Sequence, residues 1–252
     1  MQIYKHEIYG NFYSWRGGLW IIVASLIFSL VAYLLLTDKE LSLLDQGEML
    51  YTLGQIIIAL GIVIAAITAS SSISGEIESG TFENILLVPI KFRIIAIEKV
   101  LSVITMWGIL YLVCIPYLIV LSNGTNFAIP SVFYVGIFGT ILVTGISLLS
   151  ISLSIFLTSS KNSVMTAIMI VLILLAPSLF FGSSLKKTDF GIILENVNPA
   201  SHAINSLDSV LVDNEITLKQ QNIHLAAVSI FMVSCIFVFL YCTRNFELKV
   251  MK

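Results

Sequence analysis

Residues 132–157 read VFYVGIFGTILVTGISLLSISLSIFL, a run that contains no Asp, Glu, Lys or Arg. A helix needs about 20 such residues to cross the hydrocarbon core of a bilayer. Five further uncharged runs are long enough to do the same, at residues 19–36, 51–69, 100–121, 163–182 and 223–242. Backbone amides in lipid must bond within their own segment, and the alternating pattern of a membrane β-barrel is absent. The sequence therefore predicts an all-α integral membrane protein with six transmembrane helices in a single domain over residues 1–252.

The composition excludes several other classes of protein. Charged residues make up 11 % of the chain, against roughly 25 % in soluble proteins, and the mean hydropathy is +0.99. The net charge of −2 disfavours a nucleic-acid binder, which usually carries a basic patch. The three cysteines form no Cys-x-x-Cys pair and have no histidine at ligand spacing, so we expect neither a metal site nor a disulfide framework.

The lysines and arginines between the spans predict the orientation, because cytoplasmic loops carry an excess of both. With the N-terminus inside, nine of the 13 fall in inside segments. The first span is longer than the apolar core of a signal peptide, and Leu36-Thr37-Asp38 offers no small-residue cleavage site. We therefore expect an uncleaved, multi-pass protein of the cell membrane with both termini in the cytoplasm.

Residues 1–18 show the spacing of an amphipathic helix. Tyr4, Ile8, Phe12 and Trp15 share one helical face, and Gly17-Gly18 is expected to interrupt the pattern before the first span. This predicts an interfacial helix on the inner leaflet. The alternative is a water-exposed extension that happens to be amphipathic.

The long inside loop, residues 70–99, combines small polar residues with a short apolar segment. Phe82 begins an apolar stretch that continues through residues 85–87, and Pro89 should end any helix there. Glu76, Glu78 and Glu83 lie near the expected helix start, where capping alone could explain them. Gly75-x4-Gly80-Thr81 resembles a P-loop but lacks its lysine, so we expect no nucleotide or other cofactor on this chain.

The long outside loop, residues 183–222, contains a second helix signal. Asn198-Pro199 fits an N-cap followed by the first helical residue. The positions that follow form one apolar stripe: Ala200, Ala203, Ile204, Leu207, Val210 and Leu211. We expect this helix to dip into the outer membrane interface or to lie along it.

The spans themselves offer little chemistry. They contain no Asp, Glu, Lys or Arg, which disfavours ion-coupled transport, although a sodium site of carbonyls and hydroxyls stays open. No nucleophile has a base at a recognisable spacing, so we do not expect an enzyme. The fourth span has a stripe of small residues: Gly136, Thr140, Thr144, Ser147 and Ser154. Such a stripe permits close helix packing or forms a mildly polar wall of a substrate path.

The loop after the second span resembles a known signature. It has Gly75-Glu76-x-Glu78-x-Gly80-Thr81, followed by Leu86-Leu87, Pro89-Ile90, Arg93 and Lys99. This is similar to permease subunits of type-two ABC exporters. The resemblance is to the branch of the nitrous-oxide reductase maturation permease and of multidrug, antibiotic and bacteriocin-immunity permeases. It implies that a coupling helix in this loop contacts an ATPase, through Gly75, Glu76, Glu78, Gly80, Thr81, Phe82, Glu83, Pro89 and Arg93.

The same resemblance implies a function and a set of partners. The chain would be the permease of a bacterial ABC exporter, joined by two ATPase subunits that carry ATP and magnesium, and by a second permease subunit as homodimer or heterodimer. The outer helix would re-enter the membrane and act as a gate, with Asn198, Pro199, Ile204 and Leu207. An uncharged bundle suits a hydrophobic or amphipathic substrate such as a drug, peptide or lipid. The alternatives are a solitary channel or secondary transporter, and a non-transporting membrane scaffold.

Overall fold

The computed structural model describes residues 15–37, 45–82, 91–179 and 188–250, and every regular element in these ranges is a helix. In chain order they are α1 (Trp15–Thr37), α2 (Gln46–Ser71), α3 (Ser74–Glu78), α4 (Phe92–Leu121), α5 (Ala128–Leu157), α6 (Ser160–Leu179), α7 (Asp189–Val197), α8 (Pro199–Leu211) and α9 (Asn222–Val250). In these ranges six helices, α1, α2, α4, α5, α6 and α9, are long and apolar enough to cross a membrane. The prediction of six spans is confirmed.

Two local expectations at the span ends are wrong. Helix α4 begins at Phe92, two turns before the expected span at residue 100, so Arg93 and Lys99 lie on the helix and not in a loop. Charged residues are excluded from hydrocarbon but not from a helix that continues into water. Likewise α1 runs through Gly17 and Gly18 without interruption, because two glycines cost a long apolar helix only about 1 kcal/mol each.

Several expectations lie outside the described residues. They are the first 14 residues of the interfacial helix predicted over residues 1–18, the apolar segment at 85–87, and the coupling residues Glu83 and Pro89. The loop between the fifth and sixth spans contains the predicted helix, α8, and also α7, which the sequence patterns do not predict.

Helix α5 forms the centre of the bundle, with α2 beside it. Of the most apolar part of α5, 61 % of residues are buried, against 17 % in α1 and α9, which lie at the periphery. Trp107 of α4 fills the space between α2 and α5 at two glycines. A Cβ atom at Gly61 would lie 2.3 Å from its ring and one at Gly139 would lie 2.4 Å from it. Small residues thus set the helix spacing, as is usual for membrane bundles.

The candidate sites lie at opposite ends of α2, a helix of 26 residues and so about 39 Å long. At its C-terminal end, the α3 end of the bundle, α3 contacts α5 and α6. At its N-terminal end, the α8 end, the last turn of α8 lies directly on Gly47.

Candidate functional site

The start of the short helix α3 is bonded to the central helix. The hydroxyl of Ser154 on α5 accepts hydrogen bonds from the backbone amides of Ile73 (3.2 Å) and Ser74 (2.8 Å). The first amides of a helix have no partner within it, and here a side chain 80 positions away in the sequence provides one. Ser154 therefore acts as a cap that fixes α3 on α5.

A buried ion pair attaches α3 to α4. Lys99 is only 2 % exposed, and its Nζ lies 2.7 Å from Oε1 of Glu76. The same ammonium donates to the backbone oxygen of Ser72, at 3.2 Å, where α2 ends. A cation placed at a helix C-terminus is favourable, because the last carbonyls there lack partners. Lys99 therefore joins three elements: α2, α3 and α4.

The end of α3 is bonded to α6. The backbone amide of Ser160, the first residue of α6, donates to Oε1 of Glu78 at 3.0 Å. A carboxylate at a helix N-terminus is stabilised by the free amides and the helix dipole. Glu78 thus caps a helix, as its charge suggested, but the helix is α6 and not one in its own loop.

The turn after α3 is exposed. Gly80 has a φ of +69°, in the left-handed region that favours glycine, and the amide of Thr81 donates to the backbone oxygen of Glu76 at 3.1 Å. The hydroxyls of Ser79 and Thr81 are 2.9 Å apart. We call residues 79–81 the tip: a compact, exposed polar surface held on α3.

Phe82, beside the tip, packs inside the chain. It is 7 % exposed, and its ring centre lies 5.9 Å from that of Phe92 on α4 and 5.7 Å from that of Phe246 on α9. The rings of Phe92 and Phe246 are 4.5 Å apart. Phe82 therefore ties the loop to the last helix, whereas Arg93, one residue beyond Phe92, is exposed.

At the α8 end the predicted cap is confirmed. Oδ1 of Asn198 accepts from the amide of Ala200 at 2.9 Å, and Pro199 is the first residue of α8. Nδ2 of Asn198 also donates to the backbone oxygen of Leu174 on α6 at 2.6 Å. Ile204 and Leu207 are buried, and α8 contacts α2, α5, α6 and α9. This helix is packed into the bundle on its apolar face.

Comparison with known proteins gives one family. The family model of the ABC-2 family transporter proteins matches residues 1–249. The chain belongs to the ABC-2 transporter family. No curated protein matches it. An ABC-2 permease is a transmembrane subunit of an ABC transporter; it works with ATPase partners and is not itself catalytic. The chain is accordingly a multi-pass membrane protein.

The small-residue stripe of this ABC-2 permease divides between two environments. Ser147 and Ser154 are buried and bonded, Ser147 to the backbone oxygen of Val143 at 2.6 Å. Thr140 is exposed and accepts from the indole of Trp107 at 3.1 Å, and Thr144 is half-buried. Gly136 lies against Tyr111, whose hydroxyl would be 2.6 Å from an added Cβ. Gly136 and Thr140 therefore pack closely against α4, and the four hydroxyls do not share one open wall.

The permease signature contains Lys99 but does not reveal its role. The charge of Lys99 ends an apolar run, which by hydropathy alone places the residue in the loop. A helical signal was nonetheless present: Lys99 continues the spacing of Phe92, Ile95 and Ala96, all buried. The bonds of Ser154 and Ser160 left no such signal, since their partners are distant in sequence. Among the described residues no group of three metal-ligating side chains occurs.

Proposed function

We propose that this ABC-2 permease exports a hydrophobic or amphipathic substrate, and that an ATPase bound at the tip drives it. The observation that carries this proposal is the attachment of α3 to α4, α5 and α6 through Lys99, Ser154 and Glu78. Because those bonds join one short segment to three spanning helices, a displacement of the exposed tip is passed to all three. The proposed coupling site consists of the tip together with Gly75, Glu76 and Arg93.

The assembly that follows has two ATPase subunits and two permease subunits. ATP and magnesium are bound by the ATPases, since the loop of this chain lacks the lysine of a P-loop. The second permease is an identical or related chain. Both termini lie in a bacterial cytoplasm, and residues 1–18 lie on the inner leaflet. The chain falls in the branch of the nitrous-oxide reductase maturation permease and of the drug and bacteriocin-immunity permeases.

The α8 end forms the outer gate. Asn198 bonds both α8 and α6, so a movement of α6 that begins at Ser160 is passed to α8. The charge-free spans favour an apolar cargo over an ion. A solitary channel, a secondary transporter and a scaffold differ from this proposal in needing no ATPase.

A bulky side chain at the tip tests the docking. Thr81→Trp should reduce recovery of the co-expressed ATPase in a pull-down by about tenfold, which corresponds to about 1.4 kcal/mol of interface energy. Thr81 is exposed, so insertion into the membrane should be unchanged. Leu218→Trp, at an exposed position of the α8 end, is the matched control. Full recovery of ATPase with Thr81→Trp would show that the partner binds elsewhere.

Thiol labelling tests the orientation. In a background without the three native cysteines, Ser79→Cys and Lys219→Cys place single thiols at exposed positions of the α3 end and the α8 end. An impermeant reagent should label Lys219→Cys in intact cells and label Ser79→Cys only after permeabilisation. The opposite order would place the tip outside and exclude an ATPase there.

A further inference from the structure

Two histidines join α8 to α9. Nδ1 of His202 lies 3.1 Å from Nδ1 of His224, and the ring centres are 5.3 Å apart. Two imidazole rings whose nitrogens are 3.1 Å apart have the largest separation of their centres when those nitrogens point at each other. The observed 5.3 Å is close to that maximum, so the two Nδ1 atoms point at each other. The contact is a ring-to-ring hydrogen bond between residues 22 positions apart.

The position of the proton follows from a third contact. Nε2 of His202 lies 2.8 Å from the backbone oxygen of Asn196, at the end of α7. A carbonyl oxygen only accepts, so Nε2 of His202 carries a hydrogen. A neutral imidazole has one such hydrogen, and therefore Nδ1 of His202 is the acceptor. Nδ1 of His224 is then the donor, and a single proton lies between the two nitrogens.

Other titratable or charged side chains lie on the elements that pack against the pair. The titratable or charged groups of the neighbouring elements are Glu48 and Tyr51 on α2, Tyr134 on α5, Asp189 and Glu195 on α7, Asp208 on α8, and Asp213, Glu215 and Lys219 in the exposed segment after α8. Helix α6 has its lysine, Lys161, at the other end of the bundle. Glu195 accepts from Nδ2 of Asn205 at 3.1 Å, and the hydroxyl of Tyr134 donates to the backbone oxygen of Ile216 at 2.6 Å.

We propose that His202 and His224 form a proton-operated latch that holds α8 against α9 and opens when both rings are protonated. The first added proton binds Nε2 of His224 and leaves the shared hydrogen bond in place, now assisted by charge. The second binds Nδ1 of His202 and turns the acceptor into a donor. Two cationic rings then face each other with a hydrogen on each nitrogen, so the bond is lost and the charges repel. Closure thus requires at most one added proton.

Nuclear magnetic resonance of labelled histidine tests the latch directly. The chain has three histidines, so His6→Gln leaves only the pair. In ¹⁵N-histidine protein in lipid nanodiscs, we expect a scalar coupling between the two Nδ1 atoms at about pH 7.5 that disappears at about pH 4.5. Absence of the coupling at the higher pH, or its persistence when both rings are protonated, would overturn the latch.

Hydrogen exchange in the complete transporter tests its effect on α8. After correction for intrinsic rates, α8 amides of the wild type should exchange about tenfold faster at about pH 4.5 than at 7.5, as expected for loss of one interhelical hydrogen bond. His224→Asn keeps an amide that donates to neutral His202 and an oxygen that accepts from protonated His202. This variant should exchange slowly at both pH values, and His224→Phe rapidly at both. The same acid response in wild type and His224→Asn would exclude the latch.

The link to transport rests on the proposed gate, and export from vesicles tests it separately. With acid on the α8 side, export by the wild type should change, while export by His224→Asn should not. If the resonance and exchange results hold and wild-type export is indifferent to acid, the role of α8 as gate is excluded while the latch itself stands.

Discussion

Lys99→Met should destabilise the permease by about 3 kcal/mol and uncouple ATP hydrolysis from export. Removing one partner of a buried ion pair costs about 3–5 kcal/mol, because the other charge is left without compensation. The lower value applies here, since the side chain of Glu76 is 23 % exposed and can be partly hydrated. Stability is measured as resistance to SDS in mixed micelles, and coupling as substrate exported per ATP hydrolysed.

Two further variants separate stability from coupling at this position. Lys161→Met removes an exposed lysine from α6 and should change neither quantity. Glu76→Gln combined with Lys99→Met removes both charges and should recover most of the stability, because no buried charge remains. Coupling should stay low in the double variant, since the bond between α3 and α4 is still absent. Normal coupling in that variant would mean that Lys99 only stabilises the fold.

Gly47→Ala should displace α8 from α2 and impair export. An added Cβ at residue 47 would lie 2.1 Å from the backbone oxygen of Leu211 and 3.0 Å from its carbonyl carbon. Because these are backbone atoms, no side-chain rotation relieves the clash, and α8 must move as a whole. Overpacking of this kind costs about 1–3 kcal/mol. The measurement is hydrogen exchange of α8, together with export from vesicles.

Gly108→Ala is the matched control for that substitution. A Cβ at residue 108 of α4 would meet nothing within 4 Å. Alanine in a helix interior is favoured over glycine by about 0.5–1 kcal/mol, so this variant should be as stable as the wild type or slightly more stable. If Gly47→Ala and Gly108→Ala show the same hydrogen exchange of α8 and the same export, the close approach of α8 to α2 is not needed for function.

The parts of the fold that the sequence predicts are those imposed locally. Lipid forces an uncharged run of about 20 residues to be helical. Each of the six spans can therefore be predicted from its own residues alone. The cap at Asn198 is equally local, because its acceptor serves an amide two residues away. The sequence does not predict the start of α4 at Phe92, because a hydropathy pattern marks where lipid ends, whereas a helix continues until its backbone bonding stops.

The candidate sites depend on contacts that no local pattern contains. The bond between Ser154 and Ser74 spans 80 positions, and that between Lys99 and Glu76 spans 23. Charge alone could not choose between capping, a partner contact and an internal ion pair for Glu76 and Glu78. Phe82 shows the same limit, because an aromatic residue in a predicted loop fits a partner surface as well as an internal cluster.

The packing of Phe82 on Phe92 and Phe246 has a consequence for how the chain can be altered. Each of these three rings contacts the other two, so the loop after α3 and the start of α4 pack against the last helix, α9. A truncation before residue 246 would leave residues 70–99 intact, yet Phe82 would lose its contact with the ring of Phe246. We therefore expect the proposed coupling to an ATPase to be sensitive to changes near the C-terminal end of α9, including an affinity tag fused beyond that helix.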